Sequence, residues 1–207
     1  MFTHQNAKKE SNLRLFFAIW PDNPLKNALY RLQRDCIDQH ILRGGSKIAP
    51  DNLHITLQFL GSQPVSRLHA LIDIATVFAR HAEISPFELH LDHLGYWQKP
   101  RVLYLGVSKV PASLSRLAAG LGQQTILLPA EKLTKFNPHL SLFRKVAGLK
   151  SGDQNITRFP PDCIPLSILK REIHTLSWQV ERFSLVQSFT YPEGVEYKIL
   201  HEWALNG

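Results

Sequence analysis

The chain has almost no cysteine and no long run of apolar residues. Its 207 residues include two cysteines, Cys36 and Cys163, which lie far apart and have no CxxC spacing. This excludes a disulfide framework and a cysteine zinc cage, and we expect both thiols to be buried in a reducing compartment. The longest apolar run near the N-terminus, LFFAIW at positions 15 to 20, is far shorter than the roughly 20 residues of a membrane helix. The sequence predicts a cytoplasmic protein without a membrane span.

Several nucleotide-binding and catalytic motifs are also missing. The sequence contains no P-loop, no GxGxxG fingerprint and no nucleophile elbow. It has neither a low-complexity linker nor a tandem repeat of the length found in solenoid proteins. Hydrophobic residues make up 44% and charged residues 20%, which is typical of soluble globular proteins. We therefore expect one domain over residues 13–207, preceded by a flexible tail at residues 1–12.

Basic residues outnumber acidic ones, with 24 Lys and Arg against 17 Asp and Glu and a formal net charge of +7. This charge favours encounter with a polyanion, although many basic proteins bind no nucleic acid. The excess is concentrated between residues 130 and 150, where Glu131 is accompanied by five basic residues: Lys132, Lys135, Arg144, Lys145 and Lys150. This basic segment contains one of the two motifs described below.

Hydrophobic spacing predicts the secondary structure around those motifs. RLFFAIW should form a buried opening strand, and Asn23 followed by Pro24 should cap a first helix. A second helix is expected over residues 68–82 and a weaker third over 114–121, interrupted by Gly120 and Gly122. Residues 87–94 and 101–107 are predicted to pair as a hairpin. After residue 139 we expect mostly strands.

Two copies of one short pattern carry the chemistry. His54-Ile55-Thr56-Leu57 recurs as His139-Leu140-Ser141-Leu142, offset by 139 minus 54, or 85 residues. Side chains alternate faces along a strand, so each histidine should share a face with the hydroxyl two residues later. A single histidine in a strand is more often a hydrogen-bonded core or surface residue than a catalyst. The repetition favours a functional site.

The paired residues fit displacement at phosphorus. Histidine exchanges protons near neutral pH, so one imidazole can activate water while the other protonates the departing oxygen. The hydroxyls of Thr56 and Ser141, with a cation such as Arg144, can hold the non-bridging phosphate oxygens. The residues alone do not decide which histidine is the acid.

The sequence resembles the two-histidine (2H) phosphoesterase superfamily, and within it the RNA 2′,3′-cyclic phosphodiesterase, or 2′-5′ RNA ligase, family. The resemblance covers roughly residues 13 to 205, through RLFFAIW, both motifs with their trailing FLG and FR, KPRVLYLGV, and a C-terminal EYKILHEWAL. It implies an α+β fold with two lobes, in which pseudo-symmetric antiparallel sheets line a central cleft and helices pack outside. The opening strand, which ends in Trp20-Pro21, supports this fold and not the site.

The resemblance also implies an activity. We expect hydrolysis of RNA 2′,3′-cyclic phosphate ends to 2′-phosphomonoesters without a metal or other cofactor, together with reversible 2′-5′ RNA ligation. The expected partners are RNA 3′ ends, with tRNA or its fragments among the candidates, and no membrane; we expect a monomer. By position, His54 is the proton donor and His139 the proton acceptor. Thr56, Ser141 and Arg144 bind phosphate, and Phe59 stacks on the terminal base.

Two alternatives remain at this stage. One is a non-catalytic module that binds RNA ends in the same cleft. The other is a phosphodiesterase acting on 2′,5′-linked oligonucleotides or on small cyclic nucleotides. His90 and His93 have an HxxH spacing that could suggest metal ligation, but their odd separation on a strand predicts opposite faces.

Phe59 and Arg144 present a geometric difficulty. Each follows its histidine by five residues, an odd number that points it away from the cleft in a regular strand. Both can face the site only if each strand bends, bulges or ends before them. Gly61 offers a turning point near the first motif, whereas the next glycine after the second motif is Gly148.

Overall fold

The computed structural model describes residues 11–125, 136–149, 163–169 and 176–206. The predicted tail lies outside this part except for Ser11 and Asn12. Ser11 accepts a backbone hydrogen bond from Val65, and the first strand begins at Asn12, so ordered structure starts slightly earlier than predicted. Of the basic segment, Glu131, Lys132, Lys135 and Lys150 lie outside the described residues.

Thirteen strands and three α-helices are present in the described residues. In chain order they are β1 (Asn12–Ile19), α1 (Asn23–Asp38), β2 (Leu42–Arg43), β3 (Ser46–Lys47), β4 (Ile55–Pro64), α2 (Leu68–His81), β5 (Phe87–Leu91), β6 (His93–Trp97), β7 (Val102–Gly106), α3 (Ala112–Thr125), β8 (His139–Arg144), β9 (Gly148–Leu149), β10 (Ile164–Pro165), β11 (Leu176–Val180), β12 (Arg182–Tyr191) and β13 (Gly194–Ala204). None of these helices is long and apolar enough to cross a membrane.

The strands form two large antiparallel sheets, as predicted. The four-stranded sheet has the order β13-β12-β1-β4, and the five-stranded sheet has the order β10-β6-β7-β8-β3. The first motif leads into β4 and the second lies on β8, so each sheet carries one motif. Two small two-stranded sheets, β11-β5 and β2-β9, complete the fold.

The helices pack behind the sheets. Trp203 of β13 donates its indole N–H to the Thr76 hydroxyl of α2, at 2.8 Å, which joins α2 to the four-stranded sheet. Gln33 of α1 is fully buried and bonds the backbone of β8 in the five-stranded sheet. The helical faces join the inward faces of the sheets in one apolar core that includes Phe17, Leu71 and Phe143. The opposite faces of the large sheets are left for the cleft.

The predicted hairpin is wrong in one respect. Residues 87–94 are not one strand: β5 pairs with β11, whereas β6 pairs with β7. The break falls at Asp92, whose carboxylate accepts the backbone N–H of Ser108 while the chain passes from one sheet to the other. His90 and His93 therefore lie in different sheets.

The helix predictions need smaller corrections. The N-cap of α1 is Asp22 rather than Asn23, because its carboxylate accepts the N–H of Leu25 at 2.8 Å. The α2 prediction is confirmed. Helix α3 runs through Gly120 and Gly122 without interruption. At Gly120 a Cβ atom would overlap the Phe78 ring, so this glycine allows α2 and α3 to approach closely.

The two cysteines behave differently from each other. Both are free thiols. Cys36 is buried, as predicted, and burial raises the pKa of its thiol to about 12, which keeps it protonated and inert. Cys163 is exposed, which contradicts the prediction that both are buried.

Candidate active site in the cleft

The first motif begins one residue before its strand. A one-turn 3-10 helix, Pro50–Asn52, delivers the chain to His54, and β4 starts at Ile55. Ile55 and Leu57 are buried in the core, whereas His54 and Thr56 are half-buried and line the cleft. The alternation predicted for this stretch is therefore confirmed.

The second motif opens β8 directly. His139 and Ser141 pair with Gly106 and Tyr104 of β7, and both side chains are half-buried. Leu140 and Leu142 are completely buried. The two histidines thus enter the cleft from different sheets, each at the start of a strand whose apolar residues anchor it.

Both imidazoles are held in the same way. His54 Nδ1 lies 2.7 Å from the carbonyl oxygen of Asn52, and His139 Nδ1 lies 2.8 Å from that of Asn137. A carbonyl oxygen only accepts, so each Nδ1 must carry the hydrogen. In the neutral ring this leaves the Nε2 lone pair free. Each histidine therefore presents Nε2 as its reactive nitrogen.

The cleft makes both histidines poor bases for protons from solution. Burial is the main cause that lowers the pKa of His54 from 6.5 to about 4, and the positive charges of Arg144 and His139 lower it further. The hydrogen bond to Asn52 acts in the opposite direction. The pKa of His139 is also lowered, by burial first and then by Arg144, against the bond to Asn137. Arg144 therefore acts electrostatically on both motifs.

A cavity of about 340 Å³ brings four of the six predicted site residues together: His54, Thr56, Phe59 and Arg144. Its lining includes two arginines and, among the described residues, no acidic side chain. His139 and Ser141 are not among its lining residues. His139 is nevertheless close enough for its charge to lower the pKa of His54. A positively charged pocket beside two neutral imidazoles suits an anionic substrate.

Two β-bulges place Phe59 and Arg144. Along β1 and β4, Ala18 pairs with Thr56 but Phe17 pairs with Gln58, so Leu57 is an extra residue. This restores Phe59 to the face of Thr56. In β8, Tyr104 pairs with Ser141 and Leu103 with Phe143, so Leu142 is the extra residue before Arg144. The bulges required by the parity argument are present.

Aromatic side chains surround both histidines, and sequence reasoning missed most of them. The rings of Phe16, Trp20 and Tyr197 have centroids 5.1, 4.9 and 5.0 Å from that of His54. Those of Trp97 and Tyr104 lie 4.5 and 5.7 Å from His139. The expectation that the opening strand supports only the fold is therefore too narrow, because Phe16 and Trp20 contact His54. Trp20 follows Phe16 by four residues, an even number that places both side chains on one face of an extended chain. This spacing could have identified Trp20 from the sequence.

His90 and His93 do not form a metal site within the described part of the chain. His93 Nδ1 lies 2.6 Å from Asp92 Oδ1, and His90 Nδ1 lies 3.2 Å from the Ser177 hydroxyl on β11. Among the described residues, no group of three or more His, Cys, Asp or Glu side chains is placed to hold a metal ion. His90 and His93 thus have separate partners.

Comparison with known proteins points to one family. The family model described as LigT like Phosphoesterase matches residues 19–104. A curated Escherichia coli protein called RNA 2′,3′-cyclic phosphodiesterase is 30% identical over 162 residues, covering 78% of this chain and 80% of that protein. A Thermus thermophilus protein of the same name is 28% identical over 204 residues, covering 94% of this chain and 91% of that protein.

A solved structure is similar over nearly the whole chain. The crystal structure of E. coli LigT complexed with 3′-AMP has a TM-score of 0.73 and 27% identity, and the match covers 95% of this chain and 100% of that one. The similarity therefore extends beyond the first motif and includes both large sheets.

Proposed function

Because the chain belongs to the LigT-like phosphoesterase family, we propose that it is an enzyme that hydrolyses 2′,3′-cyclic phosphates at RNA 3′ ends to 2′-phosphomonoesters. The observation that carries the proposal is the pair of histidines, each fixed through Nδ1 by a backbone carbonyl and each presenting Nε2. In an in-line displacement at phosphorus, a general base activates the attacking water on one side and a general acid protonates the leaving oxygen on the other. The two histidines can supply these two groups.

In the proposed reaction His139 Nε2 takes a proton from water as the water oxygen attacks phosphorus. The bond between phosphorus and the 3′ oxygen breaks, and His54 Nε2 gives its proton to that oxygen. The products are a 3′-hydroxyl and a 2′-phosphomonoester. Replacing water by the 5′-hydroxyl of a second strand turns the same step into 2′-5′ ligation.

The acid must hold a proton when the reaction begins. In the free protein the low pKa of His54 opposes this. A bound phosphate brings a negative charge beside the ring, and an opposite charge at close range favours the protonated imidazole. Substrate binding and protonation of His54 are therefore coupled in this proposal.

The other site residues stabilise the added negative charge. We propose that Thr56, Ser141 and Arg144 bind the non-bridging oxygens. Arg144 is well suited to this role. Its Nη2 donates a hydrogen bond to the Tyr197 hydroxyl at 3.4 Å, and no carboxylate among the described residues forms an ion pair with it. One face of the Phe59 ring is covered by Arg14, so the terminal base stacks on the other face.

A substrate panel tests the proposal. The protein is incubated with RNA ending in a 2′,3′-cyclic phosphate, with a cyclic mononucleotide and with a 2′,5′-linked dimer, and the position of the product phosphate is determined. We expect turnover of the cyclic ends to a 2′-phosphate, unchanged by EDTA. Binding of RNA ends without turnover would instead identify a non-catalytic module, and cleavage of the 2′,5′-linked dimer alone would identify the other phosphodiesterase.

Cellular setting follows from the same proposal. RNA ends, including those of tRNA fragments, are the expected partners, and we propose that a cytoplasmic monomer acts on them. The free thiols of Cys36 and Cys163 are compatible with a reducing compartment.

A further inference from the structure

Arg14 is a cavity residue that the sequence motifs do not include. It lies on β1, two residues before Phe16, and lines the same cavity as His54 and Arg144. Its guanidinium carbon is 4.6 Å from the centroid of the Phe59 ring. Such a stacked arrangement fixes the guanidinium over the cavity.

Arg14 carries a positive charge, and two hydroxyl groups lie near it. No carboxylate among the described residues forms an ion pair with it. Ser188 lies directly opposite on β12, and Thr190, two residues further along, also lines the cavity. A guanidinium with neighbouring hydroxyls is a typical set of donors for a phosphate group.

The end of the cavity next to Arg14 lies further along β1 and β4 than the end next to His54, where the proposed reaction takes place. The Ala18–Thr56 pair is next to His54, the Phe16–Phe59 pair follows, and Arg14 stacks over Phe59. Ala18 and Phe16 are two residues apart on β1, which corresponds to about 7 Å along the strand. This distance is on the scale of the one nucleotide that separates neighbouring phosphates in an extended strand.

The covalent structure of the substrate limits where its second phosphate, the one attached at the 5′ oxygen of the terminal nucleotide, can lie. In a ribonucleotide the cyclic phosphate bridges O2′ and O3′, whereas the base and the 5′ carbon leave the ribose on its other side. If the base lies on Phe59, the phosphate attached at the 5′ oxygen leaves the ribose on the same face as the base and can reach the same end of the cavity. That end contains Arg14.

We infer that Arg14, with Ser188 and Thr190, forms a binding site for the phosphate at the 5′ oxygen of the terminal nucleotide. The inference rests on the proposed function and deepens it. The site makes the enzyme selective for the ends of RNA strands over isolated cyclic nucleosides. Arg14 binds the substrate and takes no part in proton transfer.

Three substrates test this site: a nucleoside 2′,3′-cyclic phosphate, the same compound with a 5′-phosphate, and a dinucleotide ending in the cyclic phosphate. The variants are Arg14→Met, which removes the charge but keeps an unbranched side chain on Phe59, and Arg14→Lys. The matched control is Lys198→Ala, an exposed cation beside Tyr197 whose side chain is on the opposite face of β13.

In the wild-type protein kcat/KM should be about 10-fold higher for the two substrates that carry the second phosphate, as expected for a charge-assisted hydrogen bond. Arg14→Met should bring this ratio close to one, Arg14→Lys should keep part of it, and Lys198→Ala should keep all of it. Equal wild-type kcat/KM for the three substrates would overturn the inference alone. So would a loss in Arg14→Met that is the same for every substrate. Absence of hydrolysis of all three would overturn the proposed function itself.

Discussion

At the scale of residues, the cleft combines two neutral imidazoles with positive charge. Both Nδ1 atoms are occupied by backbone carbonyls, so the tautomer is set by the chain and not by the substrate. The low pKa of His54 follows from burial and from the neighbouring cations. Each histidine is thereby tuned to respond to a bound anion.

The order of acid and base can be tested with a substrate that needs no acid. In thymidine 3′-(4-nitrophenyl phosphate) the leaving nitrophenolate departs without protonation. His54→Ala should therefore retain activity on this ester while losing activity on a cyclic phosphate about 100-fold or more. His139→Ala should lose both.

The readout is nitrophenolate release compared with cyclic phosphate turnover in the same preparations. The reverse pattern, in which His139→Ala alone retains the ester activity, would exchange the two roles. Equal loss on both substrates in both variants would contradict any division into acid and base.

The sequence correctly predicted the direction of single side chains wherever the alternation of faces along a strand decides it. The faces of His54, Thr56, His139 and Ser141 followed from the period of a strand. The aromatic shell did not, because Tyr197 reaches His54 from β13, more than 140 positions away in the chain. Nothing local in the sequence marks such a contact.

At the scale of elements, the bulges in β4 and β8 decide which side chains enter the cleft. Their need was predictable from the odd spacing of Phe59 and Arg144, but their location was not. A bulge is set by the pairing of two strands, and Leu57 and Leu142 are ordinary apolar residues in their own sequence context. The division of residues 87–94 between two sheets was missed for the same reason.

Gln33 of α1 stabilises the bulge in β8. Its side-chain amide donates to the carbonyls of Leu142 and Ile48, both at 2.9 Å, in a fully buried position. Gln33→Leu should lower the free energy of unfolding by about 1 to 3 kcal/mol, because the Ile48 carbonyl loses its side-chain donor and the Leu142 carbonyl keeps only the backbone N–H of Ile48. It should also lower kcat/KM, since Arg144 depends on the bulge.

Denaturant unfolding and steady-state kinetics measure the two effects. The control is Gln39→Leu, which removes a hydrogen bond to the Leu169 carbonyl from the C-cap of the same helix, away from the cleft. It should reduce stability and leave kcat/KM unchanged. An unchanged kcat/KM in Gln33→Leu would show that Arg144 does not depend on this contact.

Gly120 tests the packing of the two helices behind the four-stranded sheet. Alanine in a helix is favoured over glycine by about 1 kcal/mol. Here the added Cβ would overlap the Phe78 ring, and overpacking costs roughly 1 to 3 kcal/mol. Gly120→Ala should therefore be destabilising overall in thermal unfolding.

Phe78→Leu should relieve part of that loss in the double variant. Gly148→Ala serves as the control, because an added Cβ there meets no atom within 4 Å. A Gly120→Ala protein as stable as the wild type would mean that the helices separate at little cost.

At the scale of the whole molecule, two sheets bring distant segments to one cleft. Asn52, just before the first motif, donates its side-chain amide to the Val195 carbonyl of β13 at 2.7 Å, and Arg144 of the other sheet reaches Tyr197. The two-lobed α+β architecture was predicted through the family resemblance. Periodicity alone gave the helices and most strands but no sheet order.

The lowered histidine pKa values make stability depend on pH. The unfolded chain binds protons at His54 near pH 6.5, whereas the folded protein does so near pH 4. Between these values the unfolded state holds more protons, so stability is lost as pH falls. One pKa unit corresponds to about 1.4 kcal/mol, and partial exposure of the ring limits the loss to about 2 kcal/mol.

Denaturant unfolding at pH 4.5 and pH 7 measures this dependence. His54→Gln should lose less stability than the wild type between the two pH values. His69→Gln, at an exposed position of α2, controls for the loss of a histidine. A wild-type protein and a His54→Gln variant with the same pH dependence would contradict the account of this histidine.

The central claim is that the two motifs act together on one phosphate. The most direct measurement is the rate at which His54→Ala and His139→Ala hydrolyse RNA ending in a 2′,3′-cyclic phosphate, with circular dichroism confirming that each variant is folded. We expect each single variant to lose at least about 100-fold in kcat. We also expect the double variant to be little slower than the worse single one, because acid and base act in one step. Full activity in either folded variant would contradict the two-histidine mechanism.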